Sequence, residues 1–405
     1  MSSIVETVVK LRRQGHKIIL VSSGAIAFGM QRVDIAKKPK HLSQVQALAA
    51  IGQGRLIALW DDLFGQLNQP IAQILLTRND ITNYTQFQNA KTTIDELLKM
   101  DIVPIVNEND TLSIREIQFG DNDTLSAVTA GMCNSDYLFL MTDVDCLYTD
   151  NPRTNADAKP VMVVKDFKNL KVNATTCGSA VGTGGMKTKI IAAELGASAG
   201  VTTVVLNSGH PENILKIVEY SEKFDDFDFD IDESITDEQF ILQNELEYKR
   251  LLENDMPLHT RFLASKHFSV KDKEFWLLHG LKSAGSIIID PGCYKAISNV
   301  NKAGLLPVGI IAVEGSFHEL ECVSIKLGFR NKDNTLNTHK PLIEVGRARC
   351  NYSSTEIDKI KNSQSHDIFK ILGYFESEYV VHRENFAFPL HLNIDVEKII
   401  EENDK

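Results

Sequence analysis

Residues 181–189 read VGTGGMKTK, which places three glycines and two lysines directly before an apolar helical pattern. Small residues let backbone N–H groups approach an anion, a helix N-terminus adds a partial positive charge, and a lysine adds a full one. The stretch is neither a Walker A loop nor a G-x-G-x-x-G loop, because Lys187 stands where both motifs need glycine. Taken alone, it fits a phosphate-binding loop and equally a flexible loop before a helix.

Four further polar clusters precede this stretch along the chain. They are VSSGA (21–25), VNENDT (106–111), GDNDTLSA (120–127) and MTDVDCLYTDNPR (141–153). Each cluster alone has a purely structural explanation, because Asn, Asp and Ser cap helices and shape turns. Five clusters together at predicted strand ends are better explained by one shared site.

The residue types in these clusters favour phosphoryl transfer. They combine Asn, Asp, Ser and glycine-rich turns with a lysine at a helix start, without a Ser-His-Asp arrangement or metal-spaced His and Cys. Such transfer depends mainly on positioning and on cations that neutralise the moving phosphoryl group. A carboxylate acceptor would already be ionised at pH 7 and would need no general base. Asp110 could then hold an ammonium group, and Asn122 could hold a carboxylate.

The elements that must position these clusters alternate between helical and strand patterns over the first 220 residues. This alternation predicts a mostly parallel sheet with helices on both faces and ligands at the carboxyl ends of the strands. The helical tract from His41 to Asn68 is interpreted as core and subunit interface, with Trp60 as a packing residue. The predicted strands are KIILV (17–21), IAQILLT (71–77), IVPIV (102–106), YLFLMT (137–142) and VTTVVL (201–206).

The sequence changes character after residue 220. Residues 222–238 hold nine acidic residues against one lysine, so residues 221–272 are predicted to form an acidic and then helical linker after a domain at 1–220. From Phe275 onwards, short strand patterns alternate with turn signals. This alternation of short strands and turns predicts a small β-rich domain over residues 273–390, followed by a C-terminal tail over 391–405.

Composition limits the class of protein. A length of 405 residues with 43% hydrophobic residues is enough for the cores of two or three domains. Much of the formal net charge of −11 lies in the acidic segment, and nothing about it argues for nucleic-acid binding. No apolar run approaches the roughly 18 residues of a membrane span. The six cysteines are far apart and suggest neither a zinc site nor a disulfide framework, so a cytoplasmic location is predicted.

The motifs VNEND, GDND and GTGGMxTK, in this order and spacing, resemble the glutamate 5-kinase family of amino acid kinases. The resemblance runs from about residue 4 to residue 388, since GSFHELECV and VGRARCNYSS resemble the PUA domain that these kinases often carry. It implies an α/β protein, with a three-layer αβα amino acid kinase fold and a small β-rich PUA-like C-terminal domain. It also implies ATP-dependent conversion of L-glutamate to L-glutamyl 5-phosphate, the first step of proline biosynthesis.

The same resemblance implies roles for individual residues. Lys189 matches the lysine that stabilises the transferring phosphoryl group, and Asp123 matches the carboxylate that orients the catalytic lysines. Only the motif favours Lys189 over Lys187, because their neighbours give no reason to choose. The implied glutamate-binding residues are Ser23, Asp110 and Asn122, with Asn107 and Asp121 beside them or on the substrate. The implied ATP-binding residues are Thr142, Asp143, Thr183, Gly184, Gly185, Met186, Lys187, Thr188 and Lys189.

A cofactor and several partners are implied as well. Mg²⁺ is expected to arrive with ATP and to be held mainly by phosphate oxygens rather than by a protein cage. The family resemblance further implies feedback inhibition by proline and a homo-oligomer built through the kinase domains. The unstable product is expected to pass to a separate glutamyl phosphate reductase.

The sequence departs from the family pattern at its start. Family members begin with a strand that ends in Lys-x-Gly-Ser or Lys-x-Gly-Thr, whereas this sequence starts at the helix that follows. That strand is expected in the middle of the sheet, with its Lys-Gly turn at the ATP phosphates opposite Lys189. Two interpretations stay open: an incompletely translated gene, which we favour, or a truncated, weakly active or inactive form, including a regulatory pseudokinase that binds glutamate or proline.

Two other features are judged not to be functional. RNA binding through the PUA-like domain is disfavoured, because 14 basic and 13 acidic residues between 273 and 390 leave no basic stripe. Cys146 stands where glycine is common in related kinases, and nothing around it suggests the lowered thiol pKa of a catalytic cysteine.

Overall fold

The computed structural model describes residues 1–112, 122–152, 154–155, 157–165, 167, 170, 185–224, 237–264, 274, 276–281, 283–298, 303–331 and 333–388. The chain divides into two compact units, residues 1–269 and residues 270–405. No helix in the described ranges has both the length and the apolar character needed to cross a membrane.

The first unit alternates helices and strands, as the sequence predicts. Its elements are α1 (Ser2–Arg13), β1 (Leu20–Val21), α2 (Ala25–Arg32), α3 (Leu42–Gly65), β2 (Ile71–Leu76), α4 (Arg78–Thr82), α5 (Tyr84–Lys99), β3 (Val103–Glu108), α6 (Asn122–Met132), β4 (Tyr137–Thr142), β5 (Leu147–Tyr148), β6 (Pro160–Val161), β7 (Val163–Val164), α7 (Met186–Ser198), β8 (Thr202–Asn207), α8 (Asn213–Phe224), α9 (Asp237–Glu253) and β9 (Thr260–Phe262).

These strands form two main sheets. One sheet has the order β1-β3-β2 and is parallel throughout, with Leu20 opposite Ile105 and Ile74 opposite Val106. The other has the order β4-β8-β9-β7; β4 and β8 are parallel, whereas β9 runs antiparallel to β8. Parallel strands between helices are the predicted α/β architecture, and this prediction is confirmed.

Helix α6 packs against strands of both sheets, since it contacts β1, β3 and β4. Its residues Ala127 and Ala130 share a buried core with Leu138 and Leu140 of β4. Within the described residues, β1 and β4 each have one hydrogen-bonded neighbour, and both are therefore edge strands. The central strand expected from the family resemblance stays a prediction.

Helices α2 and α3 cross in very close contact. A Cβ atom on Gly52 would lie 1.7 Å from the carbonyl oxygen of Ala25, and one on Gly29 would lie 1.9 Å from that of Leu48. Gly24, which precedes α2, has φ of 106°, a left-handed conformation that glycine adopts without strain. Gly24 allows the turn from β1 into α2, and Gly29 and Gly52 allow the close crossing of α2 and α3.

Helix α9 belongs to the first unit, and the amide side chain of Asn244 joins it to β7 and the residue before that strand. Asn244 Oδ1 accepts hydrogen bonds from the backbone N–H groups of Met162 (2.7 Å) and Val163 (3.0 Å), and its Nδ2 donates to the Val163 carbonyl (3.2 Å). Asn244 is buried, so these bonds satisfy polar groups that water cannot reach.

The second unit is built on one mixed sheet of order β11-β10-β12-β13-β14. Its apolar core includes Ile287, Val323, Ile325, Val345 and Tyr352. A π-helical turn at Trp276–Gly280 precedes the sheet. The elements are β10 (Gly285–Ile289), α10 (Pro291–Ser298), β11 (Ile310–Gly315), β12 (Cys322–Leu327), β13 (Ile343–Arg349), α11 (Ser354–Ile360), α12 (Ile368–Leu372) and β14 (Phe386–Ala387), with 3-10 turns at Pro307–Gly309, Ser365–Asp367 and Arg383–Asn385.

Candidate active site

The turn after β1 is tied to helix α3 through a tryptophan. Trp60 Nε1 donates a hydrogen bond to Ser22 Oγ over 3.1 Å, and both residues are buried. The backbone N–H of Ser22 donates to the Val106 carbonyl (2.8 Å), which extends the pairing of β1 with β3 by one residue. The next residue, Ser23, is exposed, so its hydroxyl is available to a ligand at this edge of the sheet.

The orientation of the Asn107 amide is fixed from both sides. Its Oδ1 accepts the backbone N–H of Glu108 (2.9 Å), and its Nδ2 therefore faces the other way and donates to Gln53 Oε1 (2.9 Å). Asn107 is only 2% exposed, so the bond to Gln53 of α3 satisfies a donor that would otherwise be buried unpaired. Gln53 is half-buried, so it is the more accessible residue of this hydrogen-bonded pair.

Asp110 lies just beyond β3 in a half-buried position. Burial and, to a lesser extent, the nearby Glu108 carboxylate raise the pKa of its carboxyl group to about 6, whereas Lys38 acts in the opposite direction. An ionised carboxylate in such a place is stabilised by a bound cation. Asp110 is therefore suited to hold an ammonium group, as the family resemblance implies.

Asn122 begins helix α6, and its Oδ1 atom is buried without a hydrogen-bond partner among the described residues. A buried acceptor without a donor costs free energy, so a donor from a ligand or from residues outside the described ranges would stabilise this side chain. The neighbouring candidate Asp121 lies outside the described residues.

Lys189 and Asp123 form the ion pair at the centre of the site. Lys189 Nζ lies 2.8 Å from Asp123 Oδ1 and 3.0 Å from Asp123 Oδ2. The side chains are 14% and 17% exposed, respectively, so the pair is shielded but open to a ligand on one side. Lys187, the competing lysine, is exposed on the first turn of α7.

The glycine-rich stretch is described from Gly185 onwards, and Thr183 and Gly184 lie outside the described residues. Gly185 is the N-cap of α7, and Met186 is its first helical residue. The predicted helix start is thus observed, although no Asp or Glu occupies the first turn of the helix. An N-terminus without acidic residues favours the binding of an anion.

The ends of β4 and β8 form the other part of this edge. Thr142 Oγ1 donates to Asp143 Oδ1 (3.3 Å), and the Thr142 carbonyl accepts the backbone N–H of Ser208 (2.7 Å). Asn207 Nδ2 donates to Asp145 Oδ1 over 2.8 Å, which joins the loop after β8 to the loop after β4. The structure therefore places Thr142 at the end of β4 with Asp143 directly after it, and Asp123 and Lys189 in the first turns of α6 and α7.

Comparison with known proteins identifies sequence relatives of this chain. A sequence model of the amino acid kinase family matches residues 1–207, and a model of the PUA domain matches residues 285–372. The chain is 53% identical over 384 residues to a probable glutamate 5-kinase of Schizosaccharomyces pombe, covering 95% of this chain and 86% of that protein. It is 42% identical over 389 residues to a glutamate 5-kinase of Rippkaea orientalis, covering 96% and 92%. The chain belongs to the glutamate 5-kinase group of the amino acid kinase family.

The family recognised from the sequence motifs is thus confirmed, as are the fold class and the presence of a PUA domain. In this glutamate 5-kinase family member, the structure adds two residues that the sequence motifs did not single out. Gln53 and Trp60, both on α3, contact Asn107 and Ser22. Trp60 is buried, as its interpretation as a packing residue predicts, and α3 contacts two residues of the candidate site.

Metal binding and thiol chemistry are the two remaining questions about this site in the kinase family member. Among the described residues, no three His, Cys, Asp or Glu side chains are placed to hold a metal ion, and the Asp123 carboxylate is already engaged by Lys189. A Mg²⁺ ion that entered with ATP would take most of its ligands from phosphate and water. Burial raises the pKa of Cys146 to about 12, so its thiol stays protonated at neutral pH.

Proposed function

We propose that this chain catalyses the ATP-dependent phosphorylation of the side-chain carboxylate of L-glutamate, which yields L-glutamyl 5-phosphate and ADP. The relatives named glutamate 5-kinase, which match over nearly the whole chain, carry this proposal. The shielded Lys189–Asp123 pair supports it, because a lysine held in place by a carboxylate is a preorganised charge for a phosphoryl group.

The two substrates are proposed to occupy different parts of the same sheet edge. L-Glutamate is assigned to the end of β3 and the turn after β1, where Ser23, Asn107, Asp110 and Asn122 lie, with Asp121. ATP is assigned to Thr142, Asp143 and residues 183–189. Lys189 extends from the start of α7 to Asp123 of α6, which directly follows Asn122 of the proposed glutamate group. This arrangement supports a position of the transferring phosphoryl group near the Lys189 ammonium.

The chemistry requires little from the protein beyond position and charge. An oxygen of the glutamate side-chain carboxylate attacks the γ-phosphorus, a new P–O bond forms, and the bond from the γ-phosphorus to the β,γ-bridging oxygen breaks to release ADP. No proton moves, because the acceptor is already ionised. Lys189 neutralises charge on the transferring group, and Asp123 keeps the ammonium in place. Mg²⁺ is proposed to enter with ATP and to neutralise phosphate charge.

Trapping of the product tests the proposal. The purified chain is incubated with Mg-ATP and L-glutamate in the presence of hydroxylamine, which converts an acyl phosphate into a stable hydroxamate. We expect hydroxamate that depends on both ATP and L-glutamate, with L-aspartate as the matched control. If glutamate or proline raises the thermal midpoint while no hydroxamate forms, the regulatory pseudokinase becomes the better interpretation.

Further aspects of the proposal rest on the family resemblance. They are a role in proline biosynthesis in the cytoplasm, inhibition by proline, a homo-oligomer formed through the kinase domains, and a separate glutamyl phosphate reductase that consumes the product. Inhibition by proline is tested by steady-state kinetics at several glutamate concentrations. A proline-insensitive enzyme would remove that part of the proposal without affecting the reaction itself.

A further inference from the structure

The hydroxyl group of Thr188 lies within hydrogen-bond distance of three groups. Its Oγ1 accepts the backbone N–H of Gly185 (3.1 Å), and it lies 2.8 Å from the Gly185 carbonyl oxygen and 2.9 Å from Asp123 Oδ2. A hydroxyl has one proton, so it donates to one acceptor at a time. Thr188 therefore has two hydrogen-bond states, one directed to its own helix cap and one directed to α6.

The start of helix α7 is capped in both states. The N-cap residue is Gly185, which has no side chain, and the Thr188 oxygen accepts the N–H of that residue whichever way its proton points. The return bond from the third helical residue to the cap is half of a capping box. The proton can thus change acceptor by rotation about the Cβ–Oγ1 bond, without loss of the cap.

The second acceptor, Asp123 Oδ2, is also a partner of Lys189. In this structure the Lys189 ammonium satisfies both oxygens of the carboxylate. A shielded carboxylate that loses its ammonium partner without replacement is strongly destabilised. Any movement of Lys189 towards a substrate therefore has a free-energy cost, which a second donor to Asp123 would reduce.

We propose that Thr188 is a positioning residue whose proton turns from the Gly185 carbonyl to Asp123 Oδ2 when Lys189 turns towards the transferring phosphoryl group. Thr188 then holds Asp123 in place and lowers the cost of releasing the lysine. The inference rests on the proposed function in one respect, namely that a phosphoryl group is what attracts Lys189. The exchange of hydrogen bonds at Thr188 does not depend on which substrate receives the phosphoryl group.

Steady-state kinetics of matched variants provide the first test. Thr188→Val keeps the shape of the side chain and removes the hydroxyl, whereas Thr188→Ser keeps the hydroxyl. We expect T188V to lower kcat by roughly tenfold to a hundredfold, the range for one hydrogen bond to a charged group, with a change of less than about threefold in the KM for ATP. The kcat of T188S should stay within about threefold of the kcat of the unchanged chain. Equal loss in T188S and T188V, or a loss confined to the KM for ATP, would overturn the proposal.

Thermal unfolding of the full chain provides a test that needs no activity. With Lys189→Met, Asp123 has lost its ammonium, and the Thr188 hydroxyl becomes its remaining side-chain donor among the described residues. T188V should therefore lower the thermal midpoint by more degrees in the K189M background than in the unchanged chain. In the control background K187M, where the lysine is exposed, T188V should have the same effect as in the unchanged chain.

The two tests separate the inference from the proposed function. If the unchanged chain forms no hydroxamate, the proposed function fails, and the unfolding cycle still decides whether Thr188 replaces Lys189 at Asp123. If T188V lowers the midpoint equally with and without Lys189, the exchange is refuted even in an active enzyme.

Discussion

Lys189 Nζ contacts both carboxylate oxygens of Asp123, although the two residues are 66 positions apart in the chain. The contact joins the first turn of α7 to the first turn of α6. The two helix N-termini add partial positive charge beside a pair in which the Asp123 carboxylate balances the Lys189 ammonium. This relationship supports the proposal that the phosphates of ATP bind beside Lys189.

Replacement of Lys189 by Met should remove most of the catalytic rate. Loss of one preorganised charge at the transferring group costs about 3 kcal/mol of barrier, so kcat should fall about 100-fold or more. The matched control is K187M, because Lys187 lies two residues away and is exposed. Because Lys187 is itself assigned to ATP, we expect K187M to act mainly on the KM for ATP and to lower kcat much less than K189M does. A greater loss in K187M than in K189M would reverse the assignment of the two lysines.

Gly52 should tolerate no side chain, because α2 and α3 touch through their backbones. A Cβ at this position would lie 1.7 Å from the Ala25 carbonyl oxygen, so Gly52→Ala must move the helices apart. We expect a loss of at least about 3 kcal/mol in the free energy of unfolding, measured in urea. At Gly54, on the same helix, nothing lies within 4 Å, and Gly54→Ala should instead stabilise by up to about 1 kcal/mol. Similar effects of the two substitutions would contradict the close crossing.

The sequence was sufficient to predict the part of the site that is local in the chain. The glycine-rich stretch predicted a helix start, and α7 begins at Met186. Likewise, the apolar runs predicted the strands, although only Leu20 and Val21 of the run 17–21 are paired. A helix start and a strand depend mainly on residues that are close together in the chain. The order of residue types in the sequence therefore predicts both.

Contacts between distant helices were not predictable in the same way. Gln53 and Trp60 belong to an apolar helical pattern, and their roles depend on where α3 crosses α2. That crossing is set by Gly29 and Gly52, whose close approach is a property of the folded pair of helices. The choice between Lys187 and Lys189 is similar, because it depends on which face of α7 meets α6.

Substitution of Gln53 by Glu should weaken glutamate binding while the fold is retained. A carboxylate at this position still accepts the hydrogen bond from Asn107 Nδ2, but it adds a negative charge beside the proposed binding place of a substrate with two carboxylates. We expect the KM for L-glutamate to rise by about tenfold, equivalent to about 1.4 kcal/mol, and the KM for ATP to stay nearly unchanged.

The matched control for this substitution is Gln44→Glu. Gln44 lies on the same helix and is exposed, so the change in net charge is identical. Its KM for L-glutamate should equal that of the unchanged chain, because solvent screens a distant surface charge. An equal rise in both variants, or a rise for ATP as large as that for glutamate, would place Gln53 outside the glutamate site.

Asp110 should make glutamate binding and ligand-free stability depend on pH in opposite directions. Its pKa is about 6 in the folded chain against an ordinary 3.8, so the folded state binds the proton more tightly. The resulting stabilisation is fully present below pH 3.8 and is lost as pH rises through 6. Asp110→Asn should therefore have a higher thermal midpoint than the unchanged chain at pH 8 and a smaller advantage at pH 5. The dependence of glutamate binding on pH has the opposite sign. The ammonium group of L-glutamate needs the ionised Asp110 carboxylate, so the KM for L-glutamate should rise as pH falls through 6. This rise should occur in the unchanged chain and not in the Asp110→Asn variant. A ligand-free midpoint for the Asn variant below that of the unchanged chain at pH 8 would show that Asp110 is instead held ionised by a partner in the fold.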